Sequence, residues 1–158
     1  MKKIVILFLF FSCYTYSQEI EYIKTLDTIF VNFKEDSEQT KFVFPVDYIG
    51  FRERRFVINF LDNKKKEYFV FYFSEYPNST RRDLKIKSDI KVVKKSFLRK
   101  YKKNIIGVNF FKKYGILKST YEAFENCKVI YIIDNSERKN CKYILYEVSK
   151  VSSYSMGE

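Results

Sequence analysis

Histidine and tryptophan are absent from this 158-residue sequence, and glycine occurs only four times. Without His the commonest general base is missing, together with the usual partner of a nucleophilic Ser or Cys, so His-assisted triads are excluded. The glycines stand at positions 50, 107, 115 and 157 and form no phosphate-cradling loop, which argues against dinucleotide and ATP folds. Only two cysteines, Cys127 and Cys141, lie beyond the N-terminal leader, and without histidine a soft metal site would need unusual carboxylate help; no Asp/Asn-rich calcium loop is visible, and no cofactor is called for. Glycoside hydrolysis survives this subtraction, since it needs two carboxylates at a set separation and no His. The lack of Trp removes the favourite sugar-stacking side chain, although 14 Tyr can stand in for it.

The N-terminus carries Lys2 and Lys3, an unbroken apolar run from Ile4 to Phe11, and a short polar stretch from Ser12 to Ser17. That is the three-part order of a secretory signal peptide, and eight apolar residues are too few for a membrane-spanning helix, which takes about 20. Thr15 and Ser17 offer the small side chains a signal peptidase needs, which predicts cleavage after Ser17 and a mature chain beginning at Gln18. The alternative is a lipid anchor on Cys13, against which the bulky Phe11 stands where lipoprotein signals carry a small residue. The expected product is one exported domain, 18–158, periplasmic or secreted, with residues 152–158 frayed.

Lys and Arg number 30 against 19 Asp and Glu, and removal of the leader lowers the formal charge from +11 to +9. Such a balance invites an anionic partner. Yet 23 of the basic residues are Lys in a chain also rich in Ile, Asn, Phe and Tyr, the signature of an A- and T-rich genome. Most lysines therefore read as solvated surface, and export argues against nucleic acid.

Cys127 and Cys141 survive maturation, and an oxidising compartment would let them pair. Closing the 15-residue loop between them would contribute about 3 kcal/mol in the chain-entropy picture. Against a bridge stands a hairpin of "KVIYIID" (128–134) and "CKYILYEV" (141–148) centred near Glu137 and Arg138. In that register Asp134 faces Cys141 and Cys127 lies near Val148, which sets the two thiols at opposite ends of the ladder.

Strand patterns occupy 27–34, 41–49, 54–61 and 67–73, and they look antiparallel. In the last of these Phe69, Phe71 and Phe73 share one face, and Tyr68, Val70 and Tyr72 the other, which suggests a central strand covered on both sides. From Ser88, a plausible N-cap, Ile90, Val93, Phe97 and Tyr101 recur at helical spacing and predict a helix over 89–103. Asn109 can cap a second helix that Gly115 stops, and Ser119 with Glu122 has capping-box spacing for a third. The predicted fold is α+β: a mainly antiparallel sheet, an inserted helical segment at about 88–126 and a C-terminal β-hairpin.

Two basic features invite a functional reading. On the predicted helix, Lys91, Lys95, Arg99 and Lys102 share one face, which an ordinary solvated surface also explains. Five of the seven arginines fall in two clusters, Arg52, Arg54 and Arg55, and Arg81 with Arg82. Arg offers a planar fork for carboxylate, phosphate or sulfate that Lys cannot copy. If residue 60 lies opposite 68 and residue 55 opposite 73, the clusters meet at one sheet edge and can hold an anion. Pairing with Glu53, Asp83 or other acids at strand ends is the alternative. The sequence thus points to an exported, non-catalytic binding or structural protein that engages an anionic envelope component or another exported protein. The competing reading is a small exported hydrolase using carboxylates or Tyr.

Overall fold

The computed structural model describes residues 20–45, 52–62, 65–75 and 89–156. A helical turn at 20–23 buries Ile20 and Ile23 and leads into β1 (Thr28–Phe33). Strands β2 (Gln39–Phe44), β3 (Arg52–Asp62) and β4 (Lys65–Glu75) follow. Next come β5 (Ile90–Val93), helix α1 (Lys95–Lys100), a 3-10 turn (Lys102–Asn104), the short β6 (Ile105–Ile106) and helix α2 (Val108–Lys118). A wide π-type turn (Ser119–Phe124) extends α2, and β7 (Val129–Lys139), β8 (Lys142–Glu147) and β9 (Lys150–Met156) end the chain. The architecture is α+β with mostly antiparallel pairing, an internal helical segment and a C-terminal hairpin of β7 and β8.

The strands form two sheets, ordered β5-β8-β7-β1-β6 and β2-β3-β4-β9. Strand β1 runs parallel to both β6 and β7, where its pattern suggested antiparallel neighbours. Its composition suits the place: Ile29, Val31 and Phe33 bury one face and Phe30 the other, as a strand covered on both sides requires. The five-stranded sheet is consequently a middle layer. One face meets the phenylalanine row of β3 and β4, with Phe33 and Phe56 at 5.1 Å edge to face. The opposite face, through Phe30, Tyr131, Ile133 and Leu145, is covered by Phe97, Leu98 and Tyr101 of α1 and the turn after it.

Strand β4 is central, between β3 and β9. Phe69, Phe71 and Phe73 are fully buried against Phe111 and Phe124 of the helical segment and against Tyr146. Each such burial is worth about 1.5–3 kcal/mol, so this one alternating stripe is a main source of cohesion. Cover on both faces was expected, but among the described residues Tyr68 and Tyr72 on the outer face stay half exposed. The β3–β4 register also differs by one residue from expectation: Arg55 lies opposite Tyr72 and Phe60 opposite Glu67. The ladder runs on to Asp62 and Lys65, which leaves two residues between the paired ends. A two-residue connection fixes the register in a way the longer polar turn inferred from "DNKKK" does not. With pairing to Tyr72, Arg55 joins the tyrosine face and not the phenylalanine face.

The helix expected over 89–103 is shorter. Residues 90–93 pair with β8 as β5, because the β-branched Ile90, Val92 and Val93 suit a pleated surface, and α1 begins only at Lys95. Ser88 lies outside the described residues. Helix α2 starts after Gly107 and passes through Gly115, where a kink at φ 67°, ψ −179° needs glycine. The Ile116 N–H beyond the kink donates to Glu67 Oε2 at 3.1 Å, which anchors the helix to β4 and replaces the lost intrahelical partner. Gly115 therefore interrupts the helix as expected, although a further helical stretch follows directly, and Ser119 sits buried in helical conformation at the end of α2 and not at the N-cap of a third helix.

Residues 152–156, expected to fray, form most of β9 and pair with β4 from Lys66 to Val70. The C-terminal hairpin turns at Asn140 and Cys141, both with positive φ, and not near Glu137. Asp134 faces Ile144 and not Cys141, and a bulge separates Asp134 from Arg138. Among the described residues no helix is long and apolar enough to cross a membrane.

Candidate functional site

Alternation along β3 decides where its arginines go. Residues 54, 56, 58 and 60 point between the sheets and residue 55 points outward, so neighbouring arginines serve opposite faces. Arg52 reaches its cross-strand partner Glu75 at 3.7 Å. Arg81 and Arg82 lie outside the described residues, so a shared site of the two clusters rests on no geometry.

Arg54 enters a charged cluster that ties the sheets together. Its Nη1 donates to Glu137 Oε1 at 2.8 Å, and its guanidinium lies 4.9 Å from the centre of the Tyr146 ring. Lys41 of β2 donates to Glu137 Oε1 and to Asp134 Oδ2, both at 2.9 Å, and Tyr146 donates to Glu137 Oε2 at 2.6 Å. Asp134 is fully buried, and its Oδ1 accepts from the Ser136 backbone N–H at 2.9 Å. Residues 134 and 137 would face opposite ways on a regular strand; the bulge turns both towards Lys41. Burial disfavours the Glu137 anion, but the Tyr146 and Lys41 hydrogen bonds and the Arg54 charge outweigh it and hold the pKa at about 2. Burial also works against the Lys41 charge, yet its bonds to Glu137 and Asp134 raise its pKa. Burial and then the Glu137 bond push the Tyr146 hydroxyl up. A carboxylate held this firmly ionised does not suit the proton-donor role of a glycosidase pair, and its bonds to Lys41, Arg54 and Tyr146 tie the two sheets together.

The outer face of the four-stranded sheet is different in kind. The Arg55 guanidinium sits 4.4 Å from the Phe44 ring centre and 5.5 Å from that of Tyr72. Its Nε donates to Glu53 Oε1, so one edge of the fork is held and the planar group is fixed between two rings. Around it Phe42 is 49% exposed and Tyr154 52%, and the half-buried Val57 and buried Val70 floor a shallow concavity of about 390 Å³. Tyr72 also borders a second concavity of about 400 Å³, lined by Glu53, Ser74, Ser149 and Lys150. Burial and then a hydrogen bond to Tyr154 raise the Tyr72 hydroxyl. The bonds from Tyr72 and Ser152 lower that of Tyr154, with the Lys150 and Arg55 charges adding to the effect. Both cations thus act on the same patch.

The remaining sequence-selected residues do not assemble. Lys91 lies on β5, where its Nζ donates to the Tyr131 hydroxyl at 2.5 Å. Lys95 and Arg99 are exposed on α1 and Lys102 on the turn after it, so no single helix face carries all four. Cys127 and Cys141 are both free thiols. One precedes β7 and the other lies in the turn after it, with an 11-residue strand between, on the order of 30 Å. A bridge does not fit that geometry. Among the described residues no group of three or more Cys, Asp or Glu is placed to hold a metal ion.

Of the site residues, Arg55 was selected from the sequence, whereas Phe42, Phe44, Tyr154 and Lys150 were not. The alternation of "FVF" at 42–44 was the available signal for β2, and the tail of β9 gave none. Comparison with protein-family models, with curated proteins and with solved structures finds no match.

Proposed function

We propose that this chain is an exported, non-catalytic binding protein that engages an anionic component of the cell envelope through the outer face of β2, β3, β4 and β9. The observation that carries this reading is Arg55, a guanidinium held between Phe44 and Tyr72 by an acid at its Nε, on a face rimmed by exposed aromatic side chains. A clamped Arg presents its terminal NH2 groups to a forked oxyanion with little side-chain entropy left to lose. The net charge, +11 on the full chain and +9 without the leader, favours approach of a polyanion. The leader-like N-terminus and the envelope location remain part of the proposal.

The test is retention of the purified protein on immobilised anionic envelope polymers at rising salt, for the native chain and for Arg55→Lys. Lys keeps the charge and loses the fork, so the reading expects at least a tenfold loss of affinity, about 1.4 kcal/mol. Equal affinity in the variant would reduce binding to unspecific charge.

A further inference from the structure

We infer that the ligand of this face is an acidic polysaccharide, bound as at least three consecutive sugar units that run across the strands from Arg55 to Lys150. This rests on the anion-binding reading above and adds the ligand class, its direction and its second contact point.

The cross-strand register supplies the direction. Phe42 lies opposite Arg55, Arg55 opposite Tyr72, and Tyr72 opposite Lys150, so one rung across β2, β3, β4 and β9 alternates aromatic and cation. Neighbouring strands are about 4.8 Å apart, which sets the Arg55 and Lys150 backbones roughly 10 Å apart. That spacing is comparable to the length of a disaccharide, so carboxylates on alternate sugars can meet both cations.

The two concavities supply the chemistry. The first has an apolar floor, Val57 and Val70, with Phe42 and Tyr154 as rims and Arg55 at one end. It fits the C–H face of a sugar ring whose carboxylate reaches the guanidinium. The second is bordered by Ser74 and Ser149, whose hydroxyls bond each other at 3.2 Å while Ser149 also donates to the Tyr72 carbonyl at 2.9 Å, with Glu53 and Lys150 beside them. It suits a hydroxyl-rich unit with a second carboxylate. Their volumes, about 390 and 400 Å³, lie at the small end of ligand sites.

Charge complementarity favours a polyanion over a second copy of this basic chain. A linear polyphosphate or polyol phosphate would satisfy the cations but has no rigid ring face to cover Phe42 and Tyr154. A single-stranded nucleic acid would stack, but it needs cations that track a phosphate at every nucleotide, and this rung carries two, Arg55 and Lys150.

The experiment is calorimetric titration of the purified full chain, in about 0.15 M salt, with hyaluronan oligosaccharides, dextran, polyphosphate and poly(U) as probes. The expected result is binding of the hyaluronan oligosaccharides with at least tenfold preference over the other three, and no competition by free glucuronic acid. Lys150→Ala, Phe42→Ala and Tyr154→Ala should each weaken that binding about tenfold. Phe42 and Tyr154 are exposed, so far-UV circular dichroism and the melting temperature should stay unchanged in their variants. Equal binding of polyphosphate, untouched by Phe42→Ala and Tyr154→Ala but weakened by Arg55→Lys, would overturn the polysaccharide inference and leave the anion reading standing. Preference for poly(U) would overturn it in favour of nucleic acid. Absence of binding to any probe would overturn both.

Discussion

Replacing Lys41 by Met should destabilise the protein by about 3 kcal/mol, because it removes the charge that faces a carboxylate with no access to water. Lys41 Nζ is 2.9 Å from Asp134 Oδ2, with the two side chains 10% and 0% exposed. Removing one partner of a buried pair costs about 3–5 kcal/mol, most of it the desolvation of the charge left behind. The lower end applies, since Asp134 keeps the Ser136 N–H at 2.9 Å and Glu137 keeps Arg54 and Tyr146 at 2.8 and 2.6 Å. Met retains the apolar stem, so lost packing adds little. Urea unfolding followed by far-UV circular dichroism reads the change, and Asp134→Asn with the double variant completes a cycle in which the coupling should be about 2 kcal/mol. A loss below about 1 kcal/mol for Lys41→Met, or costs that simply add, would refute the inter-sheet tie.

Glu137 makes the same cluster acid-sensitive. Its folded pKa of about 2 lies below the ordinary 4.5, so its stabilisation is present above pH 4.5 and is lost as the pH falls towards 2. The side chain is 35% exposed, so after screening this amounts to about 1–2 kcal/mol; urea midpoints across that window should fall in the native chain and fall less in Glu137→Gln. Gly115→Ala should cost about 1–3 kcal/mol, because φ 67° with ψ −179° is a conformation reserved for glycine, and an unchanged melting temperature would contradict the kink. Thiol titration of the non-reduced, unfolded chain should find both Cys127 and Cys141 free. In the folded protein the exposed Cys141 should react first, since burial raises the Cys127 thiol.

What the sequence disclosed followed strand periodicity. The phenylalanine stripe of β4 repeats every second residue and faces the core as read, and "FVF" with "RRFVINFL" marked β2 and β3. Partner choice was hidden, because a run such as "TIFVNF" buries both faces equally well in a parallel or an antiparallel neighbourhood. Residues 90–101 misled for a related reason. Val93, Phe97 and Tyr101 do pack together, but Val93 does so from a strand that ends just before the helix starts. The tail read as frayed because "VSSYSM" has little apolar content; β9 gains its place from main-chain pairing with an open edge of β4. The charged cluster was hidden as well, since a bulge in β7 brings Asp134 and Glu137 to a lysine more than ninety positions earlier in the chain.

The arginine cluster shows what a local sequence signal can and cannot carry. "RERR" looked like one site, yet a strand turns adjacent side chains to opposite faces, so Arg54 and Arg55 do different work from one stretch of backbone. Arg54, through Glu137, ties β3 to the five-stranded sheet. Arg55, the next residue, is held between Phe44 and Tyr72 on the face that β3 presents to solvent. The rigidity of the second depends on the first, because a guanidinium can be fixed between two rings only if the strands bearing those rings keep their register and position. The pair of arginines thus links the cohesion of the core to the geometry of the proposed ligand face, and loss of the inner tie should loosen the outer clamp without touching any residue of it.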